Sequence, residues 1–519
     1  MIWQNSLSRR VWAALTASAA LGLTGAFCRA VVRMVAQSFT ARAFCRVLGK
    51  NGPSAYSGYT ALLHWGNQRL YSTGRAFGRA KERSLLGRAL KALHWRVACQ
   101  NSLLAFSPRR AMLFLFALFL PLDVLLRAVL AEGPASLWDK IFMALGVLVV
   151  VVCRMRKKMP HNATAIDMPM LFLIAAGVFL WLTNSPDLGI GFDGLRAVVQ
   201  YMAWYFIISR LIESKSDLRL FLVVFVALGA AIALHGIFQY ITAAPMPPQW
   251  VSAAEGDLRT RAYSIIGSPN ILGSLMVLTL PVAMALAYAA RNLLARCAAI
   301  GAAGAMALAC MFTFSRGAWI GMVLAFALFA VLVDRRLLLL LAVALIGAAS
   351  VPSVAGRIEF LFSPEYVEAT NRGGRNMRWD FGMDLWRAGD PVLGFGLGRF
   401  GGAVAMNNRV VFGMRYFYLD NYYIKTLVEM GLLGLFSFLW LCLTGLFQCL
   451  RAAFVLRKDK DAMPAAIFAG TTGVLAHCYF ENIFEVPYMA AYFWALMAAA
   501  AVMIRLKRDG AQAPIPCQE

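Results

Sequence analysis

A chain of 519 residues that is 60% hydrophobic, with a mean hydropathy of +0.65, carries more apolar surface than a soluble domain can hide, since soluble domains average roughly 45–50% apolar residues. Its apolar runs are continuous over about 20 residues rather than alternating, which excludes a transmembrane β-barrel and predicts an all-α polytopic membrane protein. The net charge of +24 would suggest a nucleic-acid partner in a soluble protein, but +16 of it falls in residues 1–110, where seventeen Lys and Arg face Glu82 alone. Such a segment reads as a cytoplasmic flank held at anionic headgroups, so the expected partner is the lipid bilayer and not nucleic acid.

In chain order, residues 11–36 are moderately apolar but interrupted by Arg29 and Arg33, as in a signal-anchor or amphipathic surface helix. No small-residue cleavage site follows, so no removable signal peptide is predicted. Residues 37–108 are basic and punctuated by Gly and Ser, with helical apolar spacing in LLGRALKALHW, which predicts a membrane-surface segment. The first region is therefore 1–110. The membrane domain begins at Ala111, with spans expected at 111–131, 136–153, 167–184, 192–210, 218–242, 271–290, 294–314, 317–334 and 337–352. After a polar interval at 353–418, spans 419–450, 463–480 and 488–506 follow, then a cytoplasmic tail at 507–519. The architecture expected is about twelve transmembrane helices with one large loop domain before the tenth.

Orientation follows from the short basic connections. Arg154, Arg156, Lys157 and Lys158, then Arg210, Lys215 and Arg219, then Arg291 and Arg296, Arg335 and Arg336, Arg457, Lys458 and Lys460, and Arg505, Lys507 and Arg508 all fall on one face if the spans alternate. That face is the cytoplasm, and both termini lie on it. The opposite face receives 243–270, the tip at Ser315–Arg316 and the interval 353–418. Ten cysteines show no CxxC pair and no zinc or cluster spacing, and those near apolar spans read as small core residues.

Arginines on a face normally poor in them need a reason beyond topology, and anion binding supplies one. The first constellation holds Arg259, Arg261, Pro269 and Asn270, with Asn270 able to cap the following span. Two guanidinium groups beside a helix N-terminus make an anion site; a simple turn with interfacial arginines is the competing reading. The second is Thr313–Gly321, where Ser315 and Arg316 form a hairpin tip. An Arg at membrane depth costs several kcal/mol unless paired or hydrated, so it either snorkels or meets an exogenous anion. The third is Asp420–Asn421–Tyr422–Tyr423, preceded by Tyr416–Phe417–Tyr418. Here Asp420 is a general base with a raised pKa, a helix cap, or both. Arginine's planar fork suits phosphate, and three arginines beside a membrane opening fit a lipid-diphosphate glycan whose diphosphate departs.

Four segments resemble the O-antigen ligase superfamily of bacterial inner-membrane proteins. RAYSIIGSPNILGSLM resembles its Arg–Gly–Pro–Asn segment and TFSRGAWIG its Ser–Arg–Gly turn. RNMRWDFGMDLWRAGDPVLGFGLGRF resembles part of its large periplasmic loop. DNYYIKTLVEMGLLGL resembles its His–Asn element, Asn421 and Gly431 keeping the spacing with nine residues between them. The resemblance covers roughly 111–506 and leaves the basic N-terminal region unexplained. It implies a multi-pass protein of the inner membrane with its active site facing the periplasm. The donor would be an undecaprenyl-diphosphate-linked glycan, the acceptor a glycolipid such as lipid A-core or a glycan, and no metal or nucleotide cofactor would be needed.

By the same resemblance, Arg261 and Arg316 match the diphosphate-binding arginines, and Asp420 stands where ligases carry the His that activates the acceptor hydroxyl. The family also contains polymerases, protein O-glycosyltransferases and a branch once described as bicarbonate transporters. The reading is then an inverting glycosyltransferase with Asp420, Asn421, Arg316 and Arg261 catalytic. Arg259, Asn270, Ser315, Arg375, Arg378, Asp380, Tyr418 and Tyr422 would bind substrate, with Arg372 a further candidate in the interval 353–418. The rival is a small-solute transporter, which would need ionisable groups near the bilayer midplane. His235 and Asp123 are the main interior exceptions, and each reads as a paired structural residue.

Overall fold

A computed structural model describes residues 57–83, 107–130, 132–156, 163–246, 260–359, 363–371, 374–410 and 418–512. Most of the region 1–110, together with Arg259 and Arg372, lies outside them. The chain divides into two units. Met1–Arg69 with Met159–Ala165 is the smaller; its described part is residues 163–165 and the start of helix α1 (Ser57–Arg83), where Gln68 bonds to His64 and Arg69 lies over the Trp65 ring.

The larger unit, Leu70–Lys158 with Ile166–Glu519, is built from helices, with no strand among the described residues. After the end of α1 it contains α2 (Pro108–Ala117), α3 (Phe119–Val129), α4 (Glu132–Arg156), α5 (Asp167–Thr183), α6 (Leu188–Val199), α7 (Ala203–Leu211) and α8 (Lys215–Ile241). Then come α9 (Pro269–Ala289), α10 (Leu293–Phe312), α11 (Arg316–Leu332), α12 (Leu337–Ala349), α13 (Pro352–Glu359), α14 (Pro364–Asn371) and α15 (Arg375–Ala388). The last are α16 (Ala403–Asn407), α17 (Tyr422–Leu456), α18 (Met463–His477) and α19 (Pro487–Gln512).

Among the described residues, five helices are long and apolar enough to cross a membrane: α8, α9, α10, α17 and α19; α2 with α3 makes a sixth if the pair is one span. The two halves of that pair meet at a 76° bend. Several stretches expected to span are shorter or broken. The stretch 192–210 divides among α6, a 3₁₀ turn at Gln200–Met202 and α7. Helices α5, α11 and α12 are apolar but of at most 17 residues. Hydropathy locates apolar runs; it does not show where a run bends.

Helix α9 is the buried centre, most of its residues lying inside the protein. Small residues let its neighbours approach, as membrane helices without a hydrophobic drive between them require. A Cβ on Gly470 of α18 would sit 2.8 Å from the Leu278 carbonyl, and one on Gly321 of α11 equally close to the Gly473 carbonyl. A second packed region joins Trp204, Phe116, Phe119 and Tyr492. At one end of the unit the basic connections are tied together. Asp217, fully buried, takes Arg109 at 2.6 Å and Arg110 at 2.9 Å. Arg505 donates to the Ser209 and Ile212 carbonyls, and Lys507 pairs with Asp459 at 2.9 Å.

The interval 353–418 is structured where described. Residues 391–396 dock into a break in α17 at Gly431, whose φ of 61° and ψ of −165° interrupt the helix. Leu432 and Leu433 donate to the Pro391 and Val392 carbonyls, and Phe395 and Gly396 donate to those of Val428 and Glu429. The inserted segment thereby satisfies backbone groups that the break releases.

Candidate active site

At the other end of the helices, four helix starts surround one short turn, 477–482. Asn270, in the first turn of α9, donates to Glu481 Oε2 at 2.7 Å. Gly317, at the start of α11, packs so closely that a Cβ would lie 2.7 Å from the His477 ring and 2.8 Å from Phe480 Cβ. Tyr422 N–H, opening α17, donates to the Cys478 carbonyl at 2.9 Å. Arg375, opening α15, donates to the Phe480 carbonyl at 3.3 Å and lies over its ring. Each helix N-terminus carries roughly half a positive charge, so this end of the fold is prepared for an anion before any side chain is counted.

Arg261 is held by the segment that follows α8. Gln239 accepts from the Tyr263 and Ser264 N–H groups, His235 bonds to the Ser264 hydroxyl at 3.0 Å, and Ala262 N–H donates to the Phe312 carbonyl. This pins 260–264 against the turn between α10 and α11. Arg261 is buried, donating through Nε to the Thr313 carbonyl at 2.8 Å and through Nη2 to Asn270 Oδ1 at 3.3 Å. The two arginines singled out from sequence thus flank one turn, since Arg316 follows Thr313 by three residues and opens α11. Ser315 is its buried N-cap residue and makes no side-chain cap bond. Phe314 and Ser264 both have positive φ, 49° and 52°. For a residue as bulky as Phe such backbone is strained, a condition that clusters at functional sites.

Helix capping falls on different residues from those expected. Ser268, not Asn270, caps α9 by accepting from Ile271 N–H, with Pro269 in the first turn; Asn270 is left to bridge Arg261 and Glu481. Asn421, not Asp420, caps α17, its Oδ1 accepting from Tyr423 and Ile424 N–H at 3.0 Å. Asp420, at φ 54°, turns instead to Arg378, with 2.9 Å between Nη2 and Oδ2. Arg378 also donates to the Tyr418 carbonyl, and Trp379 to that of Leu419. Asp380 is exposed, and no hydrogen bond or ion pair ties it to the site among the described residues. Tyr422 is a core residue, packed on Phe438 and Phe484. Tyr418 donates to Glu485 at 2.8 Å.

Sequence reasoning passed over Glu481, Asn482, Glu485 and the Lys425–Glu429 pair. Lys425 pairs with Glu429 at 2.5 Å and Glu485 at 3.2 Å, all three side chains buried. Those carboxylates accept from the backbone of Phe400 and Ala403, fixing the glycine-rich segment beside the site. Asn482 donates to the Gly401 carbonyl at 2.9 Å. The available signal was polar density, since His477, Glu481, Asn482 and Glu485 fall between two apolar stretches.

Burial raises the pKa of Asp420, with Arg378 and Arg375 working against it. Burial also raises that of Glu481, and the charge of Asp420 adds to the rise while Asn270, the Asn482 N–H and Arg375 oppose it. Three buried polar atoms around the turn, Asn421 Nδ2, Asn482 Oδ1 and Arg375 Nε, make no hydrogen bond among the described residues. His235 and Asp123, the interior exceptions that a transporter would use, are paired. The first braces Ser264, and the second accepts from Arg127 at 2.7 Å and Trp138 at 2.8 Å.

These features describe a multi-helix membrane protein with an arginine- and carboxyl-bearing cluster at one end of its bundle. Residues 301–439 match the model of the O-antigen ligase family, which supports placing the chain in the O-antigen ligase superfamily, among ligase- or polymerase-like membrane enzymes. The match takes in Arg316, the interval 353–418, Asp420, Asn421 and Gly431; it stops short of Arg261 on one side and the 477–482 turn on the other. No curated protein matches the chain.

Proposed function

We propose that this protein moves a glycan from undecaprenyl diphosphate to an acceptor hydroxyl at the periplasmic face of a bacterial inner membrane, in the manner of an O-antigen ligase. The observation that carries this reading is the junction of Arg261, Asn270 and Glu481 at the point where α9, α11, α15 and α17 begin. Four guanidinium groups, Arg261, Arg316, Arg375 and Arg378, stand against two carboxyls, so the site complements a diphosphate in charge. Charge that grows on a departing diphosphate is stabilised by preorganised donors of this kind. Asp420 and Asn421 orient the acceptor hydroxyl, which attacks the anomeric carbon opposite the leaving group and inverts it.

A second reading, polymerisation with a glycan as acceptor, draws on one observation. The position where ligases carry a His holds Asp420, committed to Arg378. The test is incubation of the purified protein with a lipid-diphosphate glycan and either lipid A-core or a second carrier-linked glycan, with products weighed by mass spectrometry. Glycan-bearing lipid A-core supports the ligase; lengthened carrier-linked glycan supports the polymerase. No product with either acceptor removes the proposal.

A further inference from the structure

Glu481 has a different standing from the carboxyl that the sequence reading singled out. It is 3% exposed and lies in the turn on which the four helix starts converge. Its Oε2 accepts from Asn270 and its Oε1 from the Asn482 N–H at 3.0 Å. A carboxylate has about four acceptor positions, so lone pairs remain that could accept from a hydroxyl. No cation forms an ion pair with it among the described residues, whereas Asp420 is held by Arg378 at 2.9 Å. A carboxylate locked to a guanidinium is a poor proton acceptor; a buried one joined only to neutral donors is a good one.

On the glycosyl-transfer reading above, we propose that Glu481 is the catalytic residue that takes the proton of the acceptor hydroxyl, and that Asp420 is a positioning residue acting through its charge and through Arg378. In the step, the acceptor O–H bond breaks and its proton passes to a Glu481 oxygen. The freed electron pair forms the bond to the anomeric carbon. The bond from that carbon to the diphosphate oxygen breaks, and its pair leaves on the diphosphate, beside Arg261 and Arg316. Asn270 joins the two halves of the event, since it touches Arg261 with its oxygen and Glu481 with its amide nitrogen. The proton is later released from Glu481 to water.

The charged and titratable groups facing Glu481 are Asp420 and Tyr418 from the segment before α17, Arg375 from α15, and Arg261 through Asn270. His477 and Cys478 share its turn, and His477 is held by Ser274 at 2.7 Å. Burial, assisted by Asp420, brings the Glu481 carboxyl up to about 7, within the range that suits a general base at neutral pH. A base must be ionised, so transfer should fall below that pH. Removing the negative charge of Asp420 makes Glu481 easier to ionise and moves the fall to lower pH.

The experiment measures kcat/KM between pH 5 and 9 for the full-length protein, using an undecaprenyl-diphosphate glycan and the acceptor that the wild type uses. Donor affinity is measured in parallel. Glu481→Gln is expected to lower transfer at least about 100-fold at every pH, the scale of a lost general base, with donor affinity within about threefold. Asp420→Asn, which disturbs positioning and leaves the proton acceptor in place, is expected to lower transfer at pH 8 less than Glu481→Gln does and to shift the acid limb downward. Transfer by Glu481→Gln within tenfold of wild type overturns the assignment, as does abolition of transfer by Asp420→Asn at all pH values. If Glu481→Gln does not fold, the Asp420→Asn profile decides alone, and an unmoved limb overturns the assignment. A wild type that uses no lipid-diphosphate donor shows instead that the glycosyl-transfer reading has failed, before any variant is compared.

Discussion

Replacing Gly431 with Ala tests how the site is held together. Gly431 has φ 61° and ψ −165°, a region open essentially to glycine alone, and its Cβ would run into the Val392 carbonyl. Holding Ala there costs about 1–3 kcal/mol from backbone conformation, before the collision is relieved. Relief means withdrawing 391–396 from the break and losing four backbone hydrogen bonds, those of Leu432, Leu433, Phe395 and Gly396, at about 1 kcal/mol each. Local stability of the docked segment should fall by about 3 kcal/mol, roughly 100-fold in opening equilibrium. The assay is amide hydrogen exchange in detergent, comparing those four N–H groups with Ala466 and Cys478 in α18 and its terminus. Selective loss of protection near 100-fold at the four, accompanied by loss of transfer, is expected, because the same segment continues to Phe400, Gly401 and Ala403, which contact Glu429, Asn482 and Glu485. Protection unchanged within threefold would refute the argument that this glycine is required by backbone geometry.

Two further substitutions probe the turn and the topology. Gly317→Ala places a Cβ 2.7–2.9 Å from His477 and Phe480; it should displace the 477–482 turn and cut transfer about tenfold or more while Arg316 remains in place, and normal turnover would show that the turn has no role. Asp380→Cys, at an exposed position on α15, should be labelled by a membrane-impermeant maleimide added to intact spheroplasts; labelling only after lysis would put the site on the cytoplasmic side.

The two arginines were legible in the sequence because the alternation of spans expected from it assigns them to the face that basic residues normally avoid, where their presence needs a cause. That both lie near the turn between α10 and α11 was also foreseeable in part, since Arg261 and Arg316 each precede an apolar stretch that the expected alternation starts from the same face. Glu481 was less visible, lying in a short connection where Glu also serves simply as a hydrated residue. Its place at the cluster comes from long-range packing that joins Asn270, Gly317, Tyr422 and Arg375, and no local pattern records such a junction. The break at Gly431 was hidden for a related reason. Glycine within an apolar run is common in membrane helices, and the segment that requires the break lies 35 to 40 residues earlier in the chain. The capping assignments shifted by one or two positions because Ser268 and Asn270, like Asp420 and Asn421, are all good caps, and only the partner across the site decides which is used. Helix content followed from composition, whereas the 76° bend between α2 and α3 did not.

The most direct test of the account is equilibrium binding of undecaprenyl diphosphate, with undecaprenyl monophosphate as control, to purified wild type, Arg261→Ala and Arg316→Ala. Each charge-assisted contact is worth about 1.5–3 kcal/mol, so each variant should bind the diphosphate roughly 10- to 100-fold more weakly, with helix content unchanged and the preference over monophosphate reduced. An Arg316→Ala protein that holds the diphosphate as tightly as the wild type does would contradict the claim that these guanidinium groups grip the donor.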